Sequence, residues 1–191
     1  MTEPNGFIIR ALSPEILDDY LAFFDHEAFA DNHRWASCYC YFHHAPYSYR
    51  QWKKRTAAQN RAAVSQRILD LQMHGYLAYF GGKPVAWCNA AQRTLMTTLY
   101  EEKELPVEQI GSIVCFVIAK PNRGQGIARR LLEAACEGFR RQGLQFAEAY
   151  PQKVAQSDAA NHRGPLSMYL AAGFEPVRDM DGTVIVRKRL S

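Results

Sequence analysis

The chain has 191 residues, 48% of them hydrophobic and 22% charged, with a formal net charge of +4 and a sequence pI near 8.8. That length suits one domain, residues 1–191, with a sizeable core. The mild positive balance, without a run of about five like charges, suits a small anionic ligand and argues against nucleic acid as a partner. No stretch approaches about eighteen consecutive apolar residues, so no membrane span is expected. The N-terminal MTEPNGFIIRALSPE has no basic region leading into an apolar core and does not read as a signal peptide. Cysteines 38, 40, 88, 115 and 136 follow no framework spacing, which points to a reducing, cytoplasmic setting.

In chain order, FIIR from Phe7 is a short β-like run. Ser13-Pro14-Glu15 is a helix start, with Ser13 as N-cap, and Ile16, Tyr20, Leu21 and Phe24 recur at helical spacing. Residues 29–47 lose all regularity and are rich in aromatics and histidine. A loop so long and apolar is expected to pack or to bind. Residues 48–73 read as one helix, opened by a Ser48/Gln51 capping box. Residues 76–80 and 84–88 are strands around the turn signal Gly81-Gly82. Residues 113–118 form a near-continuous β-rich apolar run, expected for a central strand covered on both faces. A helix is predicted from about Gly126 to Gln142, with Ile127, Leu131, Ala135 and Phe139 on one line and Gly143 as its stop. A strand over 145–150, a short helix over 165–172 and a hairpin around Asp181-Gly182 close the chain. Helices and strands intermix around one mixed sheet, which places the fold in the α/β (α+β) class.

The most informative stretch is NRGQGIARR, residues 122–130. A buried strand, a glycine turn and a helix N-terminus together favour an anion. The first N–H groups of a helix have no partner within it, and the dipole adds roughly half a positive charge there. Glycine lets the ligand approach the backbone, and Arg123, Arg129 and Arg130 can add charge. A nucleotide P-loop needs G-x-x-x-x-G-K-S/T, which is absent. A dinucleotide fingerprint needs G-x-G-x-x-G, and Arg129 stands at its third glycine.

What remains is Arg/Gln-x-x-Gly-x-Gly/Ala, matched by Arg123, Gly124, Gln125, Gly126, Ile127 and Ala128. This resembles the acyl-CoA pyrophosphate loop of the GNAT superfamily of N-acyltransferases. Tyr169-x-x-x-Gly173-Phe174 resembles a second hallmark of that family, at the expected position after the first. One departure is at the loop entry, where the family often has Pro three residues before the Arg. Here Lys120 holds that place and Pro121 follows it. The resemblance implies a largely antiparallel GNAT-type sheet whose fourth and fifth strands splay apart, flanked by helices.

It further implies acetyl-CoA as co-substrate, transferred to a primary amine by direct attack in a ternary complex. The splayed edge at Phe116, Val117 and Ile118 would pair with the pantetheine arm and offer an N–H to the oxyanion. The turn from Arg123 to Ala128 would hold the pyrophosphate. Asn161 would touch the pantetheine, although the family's usual offset from the Tyr falls on His162. Glu148, on the fifth strand, is the candidate base, directly or through water. Tyr169 is the expected proton donor to the departing thiolate. A phenol of pKa about 10 facing a thiolate near 8.5 is uphill by only ~1.5 units, about 2 kcal/mol.

The cluster Cys38, Cys40, His43 and His44 has no standard zinc spacing, so no metal is expected. The loop around it is better read as an acceptor pocket or lid walled by Trp35, Tyr39, Tyr41 and Phe42. The acceptor is expected to be a small molecule or amino acid-like amine. The alternatives are a protein N-terminus or lysine, or an acyl-CoA-binding module without transfer. A homodimer is the assembly left open.

Overall fold

A computed structural model describes residues 6–100, 102–154 and 160–190. The first five residues of the N-terminal segment read above therefore lie outside the described residues. Seven strands form one sheet in the order β1-β2-β3-β4-β5-β7-β6. They are β1 (Phe7–Ala11), β2 (Gly75–Phe80), β3 (Lys83–Gln92), β4 (Ile110–Ile118), β5 (Phe146–Ala149), β6 (Glu175–Met180) and β7 (Thr183–Arg189). Every neighbouring pair is antiparallel except β4 and β5. A parallel pair needs a crossover, and α4 (Ile127–Arg141) supplies it. The mixed, largely antiparallel sheet is the class the sequence implied.

The sheet is covered on both faces, which explains the apolar continuity of β2 and β4. One face packs Tyr76, Ala78, Ile113 and Phe116 against Leu131, Leu132, Ala135 and Phe139 of α4, and against Tyr169 of α5 (Leu166–Ala171). The other packs Leu77, Tyr79, Trp87 and Val114 against Tyr20 and Leu21 of α1 (Leu17–Ala22) and against Val64 and Ile68 of α3 (Ala57–Leu69). Successive strand residues serve opposite layers, as the pleat requires. Helix α4 lies close on the sheet because Gly138 has no side chain: a Cβ there would overlap the Tyr76 hydroxyl.

Two local expectations change. Ser13 does not cap its helix; its hydroxyl donates to Glu15 instead, at 2.9 Å. Residues 48–73 are not one helix. The Ser48/Gln51 capping box forms as expected and opens α2 (Tyr49–Trp52). That helix stops after one turn, and a second reciprocal box, Thr56 with Gln59, starts α3. A capping box satisfies two orphan N–H groups at once, so Thr56 favours a new start over continuation.

Candidate active site

Strands β4 and β5 pair from Ile110↔Phe146 to Ile113↔Ala149, and there the ladder stops. Strand β4 runs on to Ile118, while the chain beyond β5 turns to the closing hairpin. Val184 N–H donates to Pro151 O at 3.0 Å, and Gln152 bridges Thr183. Pro151 itself has no N–H to offer β4. Among the described residues, 114–118 thus pair with no strand on that side. Ala119 N–H donates to Val85 O, on the β3 side, at 2.9 Å. Strand alternation turns the N–H groups of Phe116 and Ile118 the other way, toward the opening.

That edge walls a cavity of about 890 Å³, within the usual range of ligand sites. Phe116, Val117, Ile118, Arg123, Ala128 and Asn161 all line it. Gly124 and Gly126 hold φ of 74° and 75°, and a Cβ on either would meet nothing within 4 Å. The turn therefore bounds open space. Gly126 is the N-cap of α4, and no side chain caps that helix, which leaves its first N–H groups for an anion. The donor set at Arg123, Gly124, Gln125, Gly126, Ile127 and Ala128 fits a pyrophosphate. Arg123 also donates through Nε to Ile118 O at 3.1 Å, and its terminal nitrogens grip Asp31 at 2.7 and 2.9 Å. The Arg123 guanidinium holds the Asp31 carboxyl below its usual range.

Residues 29–47 form the opposite wall, and they are pinned rather than loose. Tyr39 and Cys40 sit at φ of 46° and 50°, a conformation that costs non-glycine residues about 1–2 kcal/mol each. Hydrogen bonds hold the strain: Tyr20 Oη to Tyr39 O at 2.6 Å, Asn89 Nδ2 to Cys40 O at 3.0 Å, and Asn60 Nδ2 to Ser37 O at 2.8 Å. Trp35 and Phe42 line the cavity as expected. Tyr39 and Tyr41 do not, being buried in the packing behind it. Trp35 reaches across to contact His162, with ring centroids 4.9 Å apart and the rings tilted by 58°. His43 lines the cavity with Nδ1 2.7 Å from Thr98 Oγ1. Burial, then the Arg163 charge, lowers its pKa to about 3, so it stays neutral at working pH. His44 is wholly buried and ties the loop to Asn89 and to Leu95 O, each at 3.1 Å. Among the described residues no cluster of three or more His, Cys, Asp or Glu is placed to hold a metal ion.

Glu148 is placed elsewhere. Its carboxylate is fully buried at the paired end of β4 and β5, and it does not line the cavity. Oε1 accepts from Arg93 Nη1 and from Tyr150 Oη, each at 2.6 Å. Oε2 accepts from Arg187 Nη2 at 2.6 Å, Arg187 Nε at 3.0 Å and Tyr100 Oη at 3.0 Å. Arg187 also pairs with Glu102 at 2.5 Å. Burial alone would raise Glu102, but hydrogen bonds from Tyr100 and the backbone, with the Arg187 charge, hold it at about 2. Two arginines and two tyrosines occupy both oxygens of Glu148, which leaves little basic lone pair for an incoming amine. Tyr169 is also fully buried, and its Oη donates to Arg163 O at 2.6 Å. It comes near the cavity at Gly164, where a Cβ would be 3.2 Å from that hydroxyl. Burial raises its pKa well above the ordinary phenol value, so it keeps its proton.

Residues 15–163 match the family described as Acetyltransferase (GNAT) family. The chain belongs to the GNAT acetyltransferase family. Solved structures agree in fold. The GNAT domain of S. lividans PAT aligns at a TM-score of 0.61 and 18% identity, over 100% of this chain and 95% of its own. An N-acetyltransferase from Staphylococcus aureus Mu50 aligns at 0.58 and 14%, over 97% and 99%. The Thermoplasma acidophilum PaiA N-acetyltransferase, solved in complex with coenzyme A, aligns at 0.57 and 14%, over 96% and 98%. No protein with a curated description matches the sequence.

This GNAT acetyltransferase is an acyltransferase that uses acetyl-CoA. Its splayed strands are those the sequence implied. Of the residues carried over for the cofactor, Phe116, Val117, Ile118, Arg123, Ala128 and Asn161 line the cavity at their open end, whereas Gly124, Gln125 and Gly126 form the turn beside it and the Ile127 side chain packs into the core. Sequence reasoning missed three side chains of the opposite wall: Asp31, Lys53 and Arg55. It also left His43 without a role. The signal for Lys53 and Arg55 was the Thr56/Gln59 spacing that breaks the helix beside them. His43 and Asp31 depend on partners 55 and 92 residues away, which no local pattern announces. No helix is long and apolar enough to cross a membrane among the described residues.

Proposed function

We propose that this acetyltransferase moves the acetyl group of acetyl-CoA to the primary amine of a small-molecule or amino acid-like acceptor, by direct attack with both substrates bound. One observation carries the reading. The free edge of β4 opens into a single cavity that reaches the glycine turn on one side and the 29–47 loop on the other. Donor and acceptor can therefore meet without a covalent relay. The turn at 123–128 and Asn161 hold the cofactor, and the edge at Phe116, Val117 and Ile118 takes its pantetheine arm. The N–H groups of Phe116 and Ile118 stabilise the oxyanion as it grows. Tyr169, kept protonated by burial, turns from Arg163 O to donate to the leaving thiolate.

The base is assigned differently from the sequence expectation. Glu148 braces the closed end, and His43 takes the proton of the acceptor. In the tautomer that donates Nδ1–H to Thr98, Nε2 keeps its lone pair. A base so weak acts only after attack, when the amine N–H has become strongly acidic. The test is an amine panel with acetyl-CoA, read by free thiol and product mass. Turnover of at least one amine is expected, and His43→Gln and Tyr169→Phe should each lower kcat by roughly a hundredfold at little change in KM for acetyl-CoA. Binding of acetyl-CoA without turnover of any amine would leave a binding module and overturn the reading.

A further inference from the structure

The charges around the cavity are one-sided. Among the described residues, its lining holds Arg34, Lys53, Arg55, Arg123 and Arg163 against one carboxylate, Asp31. Asp31 is already gripped by Arg123 at the glycine turn. Lys53 and Arg55 belong to the opposite wall, and neither makes an ion pair among the described residues. A continuous helix would put residues two apart on different faces. The break between α2 and α3 removes that constraint and lets both cations border the same space.

Arg55 is held as a presented cation. Its Nε donates to Asn60 Oδ1 at 2.6 Å and its Nη2 to Gln59 O at 2.9 Å. Its guanidinium carbon lies 4.6 Å from the Tyr47 ring centroid and 5.5 Å from that of Tyr41. Asn60 is only 1% exposed, and its amide is fixed in turn by Ser37 O. A buried amide is thus spent on aiming a guanidinium whose Nη1 takes no part in these contacts. Lys53 Nζ stands 4.7 Å from the Tyr49 ring centroid. Trp52 and Phe42 add apolar surface beside them.

A wall of unpaired cations repels a plain ammonium ion, and a polyamine more so. It attracts an amine tethered to an anion, and it favours the uncharged nitrogen that attack requires. Resting on the acceptor reading above, we infer that Lys53 and Arg55 form an anion subsite, and that the acceptor is an amine bearing a carboxylate or phosphate group. The fork geometry of Arg55 suits either oxyanion.

The experiment uses the protein loaded with CoA for binding and with acetyl-CoA for turnover. Glycine and phosphoethanolamine serve as anionic probes, one for each oxyanion. Glycinamide, ethanolamine and 1,4-diaminobutane serve as their uncharged or cationic counterparts. The anionic probes should bind more tightly, and Arg55→Gln or Lys53→Gln should weaken them by roughly tenfold or more with the KM for acetyl-CoA unchanged. Arg55→Lys, which keeps the charge, should retain part of the affinity. Lys83→Gln, at the distant β2–β3 turn, should leave it untouched, and melting temperatures establish that each variant is folded. The inference is overturned if neither anionic probe shows saturable binding, if 1,4-diaminobutane binds best, or if the anionic preference survives the double variant. The two readings fail separately. Acetylation of amines without anionic preference removes the subsite alone. Arg55-dependent anion binding without transfer to any amine removes the transfer alone.

Discussion

Strands β4 and β5 have two ends that behave oppositely. At 110–113 they are hydrogen-bonded and braced from one face by Glu148, Arg93, Arg187, Tyr100 and Tyr150, while the Ser112 hydroxyl meets Tyr150 Oη at 2.9 Å. At 114–118 β4 keeps its side chains in both cores but loses its neighbour. An open edge normally invites the adjacent strand to zip up. Here β5 is drawn to β7 beyond Ala149, and the braced end fixes the angle from which the two strands diverge. The contrast teaches that strand position alone does not bring a carboxylate into the opening. Glu148 sits one residue from the end of the β4–β5 ladder, but on the side of it that is sealed.

The largest effect should come from the sealed end. Glu148→Ala leaves Arg93 buried without its counter-charge and Arg187 with Glu102 alone, and loss of one partner of a buried pair costs about 3–5 kcal/mol. Urea denaturation should show that loss, and the protein that remains folded should still gain melting temperature from acetyl-CoA. A Glu148→Gln variant of full stability that has lost turnover would reverse the assignment and restore Glu148 as the base.

Acid should separate the two ends next. Burial pushes His43 to about 3 and His44 to about 4, whereas an unfolded histidine takes its proton near 6.5. Both folded values are depressed, so the unfolded chain binds more protons below pH 6.5 and stability falls as pH falls. The loss should start near pH 6.5 and approach 1 kcal/mol or more per pH unit for the pair. Each histidine that is neutral when folded and protonated when unfolded contributes up to ~1.4 kcal/mol per pH unit. Glu102, at the sealed end, joins only below about pH 5, where an unfolded glutamate begins to take its proton while Glu102 stays ionised down to about 2. Denaturation midpoints across pH 7 to 5 measure the histidine slope. Replacing both histidines by Gln should flatten the slope, and an unchanged slope would place the acid-sensitive group elsewhere.

What the sequence disclosed follows the same divide. The glycine turn, the amphipathic line of α4 and the Tyr169 pattern are local, and each formed where expected. The register at which β4 parts from β5 is not local. It depends on a competition between β4 and the β7 hairpin for the chain around Pro151. The partners of Glu148 lie 55, 48 and 39 residues away, at Arg93, Tyr100 and Arg187. A strand glutamate beside an implied active site reads as a base until those cations are seen. The break before Thr56 is locally legible, because the Thr56/Gln59 box has the same form as the Ser48/Gln51 box.

The smallest effect tests the open end directly. Gly126 holds φ of 75° with no atom within 4 Å of the place a Cβ would take. Gly126→Ala therefore meets no clash in the free protein and bears only the left-handed strain, about 1 kcal/mol. Its methyl group would project into the space the turn bounds, where the phosphate must approach the first N–H groups of α4. Acetyl-CoA affinity should accordingly fall by more than stability does, read as a melting temperature lowered slightly without ligand and a ligand-induced rise that shrinks. Equal losses in both would mean that the glycine serves only the turn, and that the anion sits against Arg123 rather than against the backbone of Gly126.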